Sequence, residues 1–139
     1  MILFDVETLL SDLMRDEGIR LMPYQDTAGK WTIGVGRNLT DRGILRSEAE
    51  LLCRNDIAMT TADLDRNAPW WRTLSSNRQR ALANMTFNLG WPRLSGFKVM
   101  LAALEHGDFE SAATECLNSK WAAQVGDRSQ RIATLFKEG

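Results

Sequence analysis

The sequence predicts a mainly helical α+β protein, with a small β-containing N-terminal lobe (residues 1–46), a connecting helix (47–69) and a helical C-terminal lobe (70–139). Three observations predict it. Apolar residues recur at helical spacing over residues 5–16. A proline, several glycines and β-favouring residues crowd the stretch from 19 to 45. From residue 70 onward, helical periodicity is broken by caps and glycines, with no further strand-like runs.

Val6, Leu9, Leu10, Leu13 and Met14 form the stripe of the first helix, which Gly18 stops, so the helix delivers Asp16 and Glu17 to its own end. Trp31-Thr32-Ile33-Gly34-Val35-Gly36 carries the β character, and the region predicts two or three short strands joined by tight turns. Ser47-Glu48-Ala49-Glu50 has capping-box spacing and predicts a helix from 48 to about 67, stopped before Pro69. That segment carries five acidic residues against Arg54 and Arg66, which predicts a solvated face. Ser76-x-x-Gln79 reads as a second capping box, opening a helix to about Leu89. Pro92 and Gly96 interrupt the chain. Helices then follow near 97–106 (stopped by Gly107), 109–118 (capped by Asp108), 119–125 and 128–137.

The 139 residues hold 17 basic and 18 acidic side chains, a formal charge of −1, which excludes a polybasic nucleic-acid or membrane-surface protein. With 44% hydrophobic and 25% charged residues the chain has ordinary globular composition. The N-terminus, Met1-Ile2-Leu3-Phe4-Asp5, is not that of a secretory signal, and no uncharged run is long enough to span a bilayer. The expectation is therefore a protein made soluble, without stable membrane association.

Several chemistries fail for want of residues. Cys53 and Cys116 lie far apart with only His106 as a possible imidazole partner, so no metal site is expected, and both cysteines read as small buried side chains. His106, just before Gly107, reads as a helix C-terminal residue placed favourably against the dipole. Gly34-x-Gly36 lacks the third glycine, the following helix and the Lys-Ser/Thr pair of a phosphate loop. No cofactor is implied.

Carboxylates are more informative. Glu17 at a helix end and Asp26 in a strand-to-turn segment can face one another, because the chain reverses between them. Glycosidic hydrolysis needs such a pair: one carboxyl protonated to donate to the leaving oxygen, the other ionised to activate water or stabilise the oxocarbenium-like transition state. Spacing alone does not separate this pair from two solvated surface acids.

The run Asp16-Glu17-Gly18-x-Arg20-Leu21-x-x-Tyr24-x-Asp26-Thr27-x-Gly29-x-Trp31-Thr32-Ile33-Gly34-x-Gly36 resembles the active-site segment of the T-even phage lysozymes, the phage-type muramidases of glycoside hydrolase family 24. Asn84-Met85-Thr86-Phe87-Asn88-Leu89-Gly90, followed by Gly96-Phe97, resembles that family's cleft helix. Ser119-Lys120-Trp121-Ala122-Ala123-Gln124 with Arg128 and Arg131 resembles a further family segment, so the likeness covers nearly the whole chain. The resemblance implies a lysozyme-like fold whose C-terminal lobe also receives the first helix. It implies Glu17 as general acid, Asp26 as second carboxylate, Thr32 as the hydroxyl orienting the attacking water, and Arg128 as partner of Glu17. It also implies Phe87, Asn88, Trp121 and Gln124 as glycan contacts. For Phe87 and Trp121 core packing is an equal alternative, whereas Trp70, Trp71 and Trp91 read as packing residues.

The implied activity is cleavage of the β-1,4 bond between N-acetylmuramic acid and N-acetylglucosamine in bacterial peptidoglycan, with inversion. The expected setting is a monomeric phage endolysin that accumulates in the host cytoplasm until a holin-type pore admits it to the wall. The net +3 of residues 70–139 suits an anionic wall polymer. Departures from the family pattern are Ala28 where an acid is common, Arg37 where a histidine often follows the G-x-G, a shorter loop from Asn38 to Ser47, and an end at Gly139 without a final extension. Two alternatives stand beside this reading: a lytic transglycosylase, which needs no water-activating Asp26–Thr32 pair, and a non-catalytic peptidoglycan-binding module.

Overall fold

Asp5 starts the first helix, α1 (Val6–Glu17): its carboxylate accepts the Thr8 backbone N–H at 2.9 Å and the Thr8 hydroxyl at 2.6 Å. Gly18, at φ +74°, ends it. The computed structural model describes residues 3–139; Met1 and Ile2, the start of the apolar stretch read above, lie outside the described residues. The chain divides into two compact units, one ending at Glu50 and the other spanning Leu51–Gly139.

In the first unit α1 leads into a three-stranded antiparallel sheet, β1 (Arg20–Gln25), β2 (Trp31–Gly34) and β3 (Arg37–Asn38), in sequential order. Arg20 faces Gly34 and Tyr24 faces Thr32, and the pairing shifts between them, where Pro23 has no N–H to give to the ladder. Gly34 (φ +69°) and Gly36 (φ +65°) make the turn from β2 to β3. A short helix not anticipated from the sequence follows, α2 (Leu39–Arg42), because the Asn38 side chain accepts the Asp41 N–H at 3.0 Å and caps it. Thr32 is the single buried side chain among the described residues of this unit. The unit is held by its ladder, caps and polar bonds more than by an apolar core of its own.

α3 (Arg46–Asn67) begins earlier than predicted, and Ser47 is not its cap. Glu48 reaches back to the Leu45 backbone N–H (2.8 Å), which makes Leu45 the capping position and places Ser47 inside the first turn. Half of a capping box is present, set two residues before where the serine suggested. A smaller offset, of one residue, occurs at α4 (Ser76–Leu89). Ser75 caps it by accepting the Arg78 N–H at 3.3 Å, and Gln79 instead donates to the carbonyls of Leu74 (2.8 Å) and Arg72 (3.0 Å).

The second unit continues with a 3-10 turn (Pro69–Thr73), α4, α5 (Trp91–Leu94), α6 (Lys98–His106), α7 (Phe109–Leu117), α8 (Lys120–Val125) and α9 (Asp127–Glu138). Gly107 ends α6 in the left-handed conformation directly after His106, and the Asp108 carboxylate caps α7 by accepting the Ser111 N–H, both as the sequence predicts. α7 and α4 pack on α9 around Leu82, Met85, Leu104, Cys116, Ile132 and Phe136. Trp71 is buried and donates its indole N–H to Asp65 at 2.7 Å, while Trp70 and Trp91 pack half-buried against the core. The cysteine expectation holds for one residue only. Cys116 is buried, which pushes its thiol up to about 11, whereas Cys53 on α3 is exposed; both are free thiols.

Candidate active site

Glu17 is the last residue of α1 and is exposed. Its carboxylate lies against the glycine turn between β2 and β3: a methyl group built on Gly36 would sit 3.3 Å from Glu17 Oε2. The turn therefore needs glycine there twice over, once for the positive φ and once for the close approach of the acid.

Asp26 follows β1 and is exposed. Its Oδ1 accepts the backbone N–H groups of Ala28 (2.9 Å) and Lys30 (2.8 Å), and its own N–H donates to the Lys30 carbonyl at 2.9 Å. A carboxylate bonded to its own loop in this way fixes the turn and is fixed by it. Oδ2 has no protein partner among the described residues. Thr32, 4% exposed, donates its hydroxyl proton to the Lys30 carbonyl at 3.0 Å, which leaves the oxygen's lone pairs to accept. Asp26 and Thr32 are thus joined through the peptide groups of one residue, Lys30, to which the sequence analysis gave no role.

Arg37, the departure from histidine, has its charge partner in the same unit. Its Nη1 donates to Glu48 Oε1 at 2.7 Å and to the Gly43 carbonyl at 3.2 Å, closing the short loop onto the first turn of α3. The Arg37 hydrogen bond, together with the Leu45 N–H, holds the Glu48 carboxyl below its ordinary range.

In the second unit an open hollow of about 440 Å³ is lined by Phe87, Asn84, Arg128, Ile57, Trp71 and Cys53, among others. Arg128 is half-buried and donates through Nε to Asn84 Oδ1 (2.9 Å) and through Nη2 to the Asn84 carbonyl (3.3 Å). Asn84 was legible only as the head of its motif, without a role. Phe87 is exposed to 43% and gives the hollow an aromatic wall. Trp121 is 4% exposed and belongs to the core, the packing alternative. Its indole N–H donates to Asn88 Oδ1 at 2.7 Å, so the amide nitrogen of exposed Asn88 remains available to donate. Gln124 is exposed on α8.

The profile of the phage lysozyme family matches residues 14–137, which include the Glu17, Asp26 and Thr32 segment, the Asn84–Gly90 helix and the Trp121–Arg131 segment. The chain belongs to the phage lysozyme family. A probable T4-type lysozyme of Dictyostelium discoideum is 31% identical to it, over 96% of each chain. An endolysin of Acyrthosiphon pisum secondary endosymbiont phage 1 is 34% identical over 90% of this chain and 85% of its own. The pre-baseplate central spike protein Gp5 of Enterobacteria phage T4 is 32% identical over 91% of this chain and 27% of the spike protein. The protein is accordingly a glycoside hydrolase of phage lysozyme type acting on peptidoglycan, with a mainly helical α+β fold and an N-terminal antiparallel sheet. Among the described residues no helix is long and apolar enough to cross a membrane, and no cluster of three or more His, Cys, Asp or Glu is placed to hold a metal ion.

Proposed function

We propose that this phage lysozyme cleaves the β-1,4 bond between N-acetylmuramic acid and N-acetylglucosamine with inversion, using Glu17, Asp26 and Thr32. The observation that carries the reading is the placement of all three in one unit around β2: Glu17 against the Gly36 turn at one end, Asp26 and Thr32 bound through Lys30 at the other. The coupling of Asp26 to the Thr32 hydroxyl through Lys30 supports inversion, which holds a water between carboxyls roughly 6.5–9.5 Å apart, over a covalent mechanism with carboxyls roughly 5 Å apart.

In this mechanism Glu17 gives its proton to the leaving glycosidic oxygen. One water donates to Asp26 Oδ2 and to the Thr32 oxygen, both able to accept, and its own lone pair attacks the anomeric carbon from the opposite face. The water's proton passes to Asp26, and the product sugar leaves with inverted configuration. Arg128 is assigned the support of the catalytic acid. Phe87, Asn88 and Gln124 are assigned to the glycan, an apolar ring and amide donors suiting sugar faces and N-acetyl groups. Trp121 then acts by fixing the Asn88 amide. The biological setting we assign is a phage endolysin, monomeric, reaching the wall from the host cytoplasm through a holin-type pore.

Digestion of purified peptidoglycan, with products read by mass spectrometry and by the anomeric proton signals of the fresh reducing ends, tests the reaction. Reducing N-acetylmuramic acid ends of inverted configuration are expected. A 1,6-anhydro product reassigns the enzyme as a lytic transglycosylase. Glu17→Gln and Asp26→Asn should abolish clearing of outer-membrane-permeabilised cells while wall binding persists; parental clearing by both removes the site assignment.

A further inference from the structure

We propose that Lys30 is a positioning residue for the water-activating half of the site, held in place by the short helix α2. This rests on the roles given above to Asp26 and Thr32. The Lys30 peptide groups make three bonds to those two residues: its N–H to Asp26 Oδ1, and its carbonyl to the Asp26 N–H and the Thr32 hydroxyl. Any shift of Lys30 therefore moves both groups that hold the water.

Two adjacent residues of α2 restrain that shift. The Lys30 ammonium donates to Asp41 Oδ1 at 3.1 Å, and the Trp31 N–H donates to Thr40 Oγ1 at 2.8 Å. Asp41 is itself fixed by Asn38, whose Nδ2 donates to Asp41 Oδ2 at 2.9 Å and whose Oδ1 accepts the Asp41 N–H. Asn38 pairs with Thr32 across β2 and β3. The bonds close a ring from Thr32 through Asn38, Asp41 and Lys30 back to Thr32. A loop residue tied into such a ring has fewer positions open to it than one held by its own turn alone, and a fixed water-binding pair lowers the barrier by orienting the nucleophile before attack.

The Lys30–Asp41 pair is 40% and 52% exposed, so it adds little to folding stability, and its effect belongs in the rate. The test compares the parent with Lys30→Met, Lys30→Met/Thr40→Val, Lys30→Arg and Asp26→Asn, measuring kcat and KM on soluble peptidoglycan fragments and the urea midpoint of each. Lys30→Met should lower kcat about threefold and the double variant about tenfold, at parental KM and urea midpoint, while Lys30→Arg restores the rate. A double variant with parental kcat, beside an inactive Asp26→Asn, overturns the positioning role and leaves the site assignment standing. So does a loss of kcat that tracks the urea midpoint and is not rescued by arginine. An active Asp26→Asn enzyme overturns the site assignment, and the positioning role with it.

Discussion

Alanine at Gly36 and at Gly34 imposes nearly the same backbone strain but meets different surroundings. Gly36 has φ +65° and Gly34 φ +69°, conformations that cost an L-residue about 1–2 kcal/mol. The new methyl at Gly34 has nothing within 4 Å, whereas the one at Gly36 lies 3.3 Å from Glu17 Oε2 and 3.5 Å from its Cγ and Cδ. Relieving that contact moves the carboxylate by a few tenths of an ångström. Because a displacement of about 1 Å at a reacting group costs about a hundredfold, this smaller one should cost about threefold to tenfold in kcat. Both variants should therefore lose about 1–2 kcal/mol in urea unfolding, while Gly36→Ala alone loses activity beyond its loss of folded protein. Activity is measured by turbidity loss of permeabilised cells, normalised to the folded fraction. Equal normalised activity in the two variants would refute the reasoning, since Glu17 would then not depend on that turn.

Phe136→Ala, which empties a fully buried position where α4, α7 and α9 meet, should destabilise the second unit by about 3–5 kcal/mol in urea unfolding. Cys53 should react with a thiol-specific disulfide reagent in the native protein at pH 8, while buried Cys116, its thiol raised to about 11, should react only after unfolding. The carboxyls of Asp5, Asp41, Glu48 and Asp65 are lowered from ordinary values of 3.8 for Asp and 4.5 for Glu, chiefly by hydrogen bonds from Thr8, Lys30, Arg37 and Arg72 respectively. In each case the unfolded chain binds the proton more readily. The stability they contribute is thus complete above these ordinary values and is lost as pH falls through the lowered ones. The urea midpoint should accordingly decline on acidification below about pH 4.5, and Glu48→Gln should flatten part of that decline.

Much of the candidate site was legible because its signals are local. The approach of Glu17 to the helix end, its stop at Gly18, the strand-turn segment carrying Asp26 and Thr32, and the caps at Asp5 and Asp108 each depend on residues within a few positions. The serine caps show where local reading ends. Ser47 and Ser76 each sit one or two positions inside the helix they were expected to open, because Leu45 has Glu48 to satisfy its N–H and because Ser75 is equally able to cap. Phe87 and Trp121 are alike in the sequence, both aromatic and both on short helical motifs. Only the packing of α4, α7, α8 and α9 buries one and leaves the other at a hollow.

By itself, then, the sequence determined the order and type of the longer elements, the positions where glycine or a capping carboxylate must stand, and which acids the family motif offers as candidates for the chemistry. Those follow from backbone sterics and from hydrogen bonds that close within one turn of chain. The tertiary structure decided which cysteine is exposed, that Arg37 is neutralised by Glu48, that Arg128 is held by Asn84, and that Lys30 joins Asp26 to Thr32. Three of these four, all but the Lys30 turn, depend on side chains eleven or more positions apart or on the helix packing around each thiol. A one-dimensional pattern does not encode which distant groups meet, because that choice is made by the burial of the apolar faces between them.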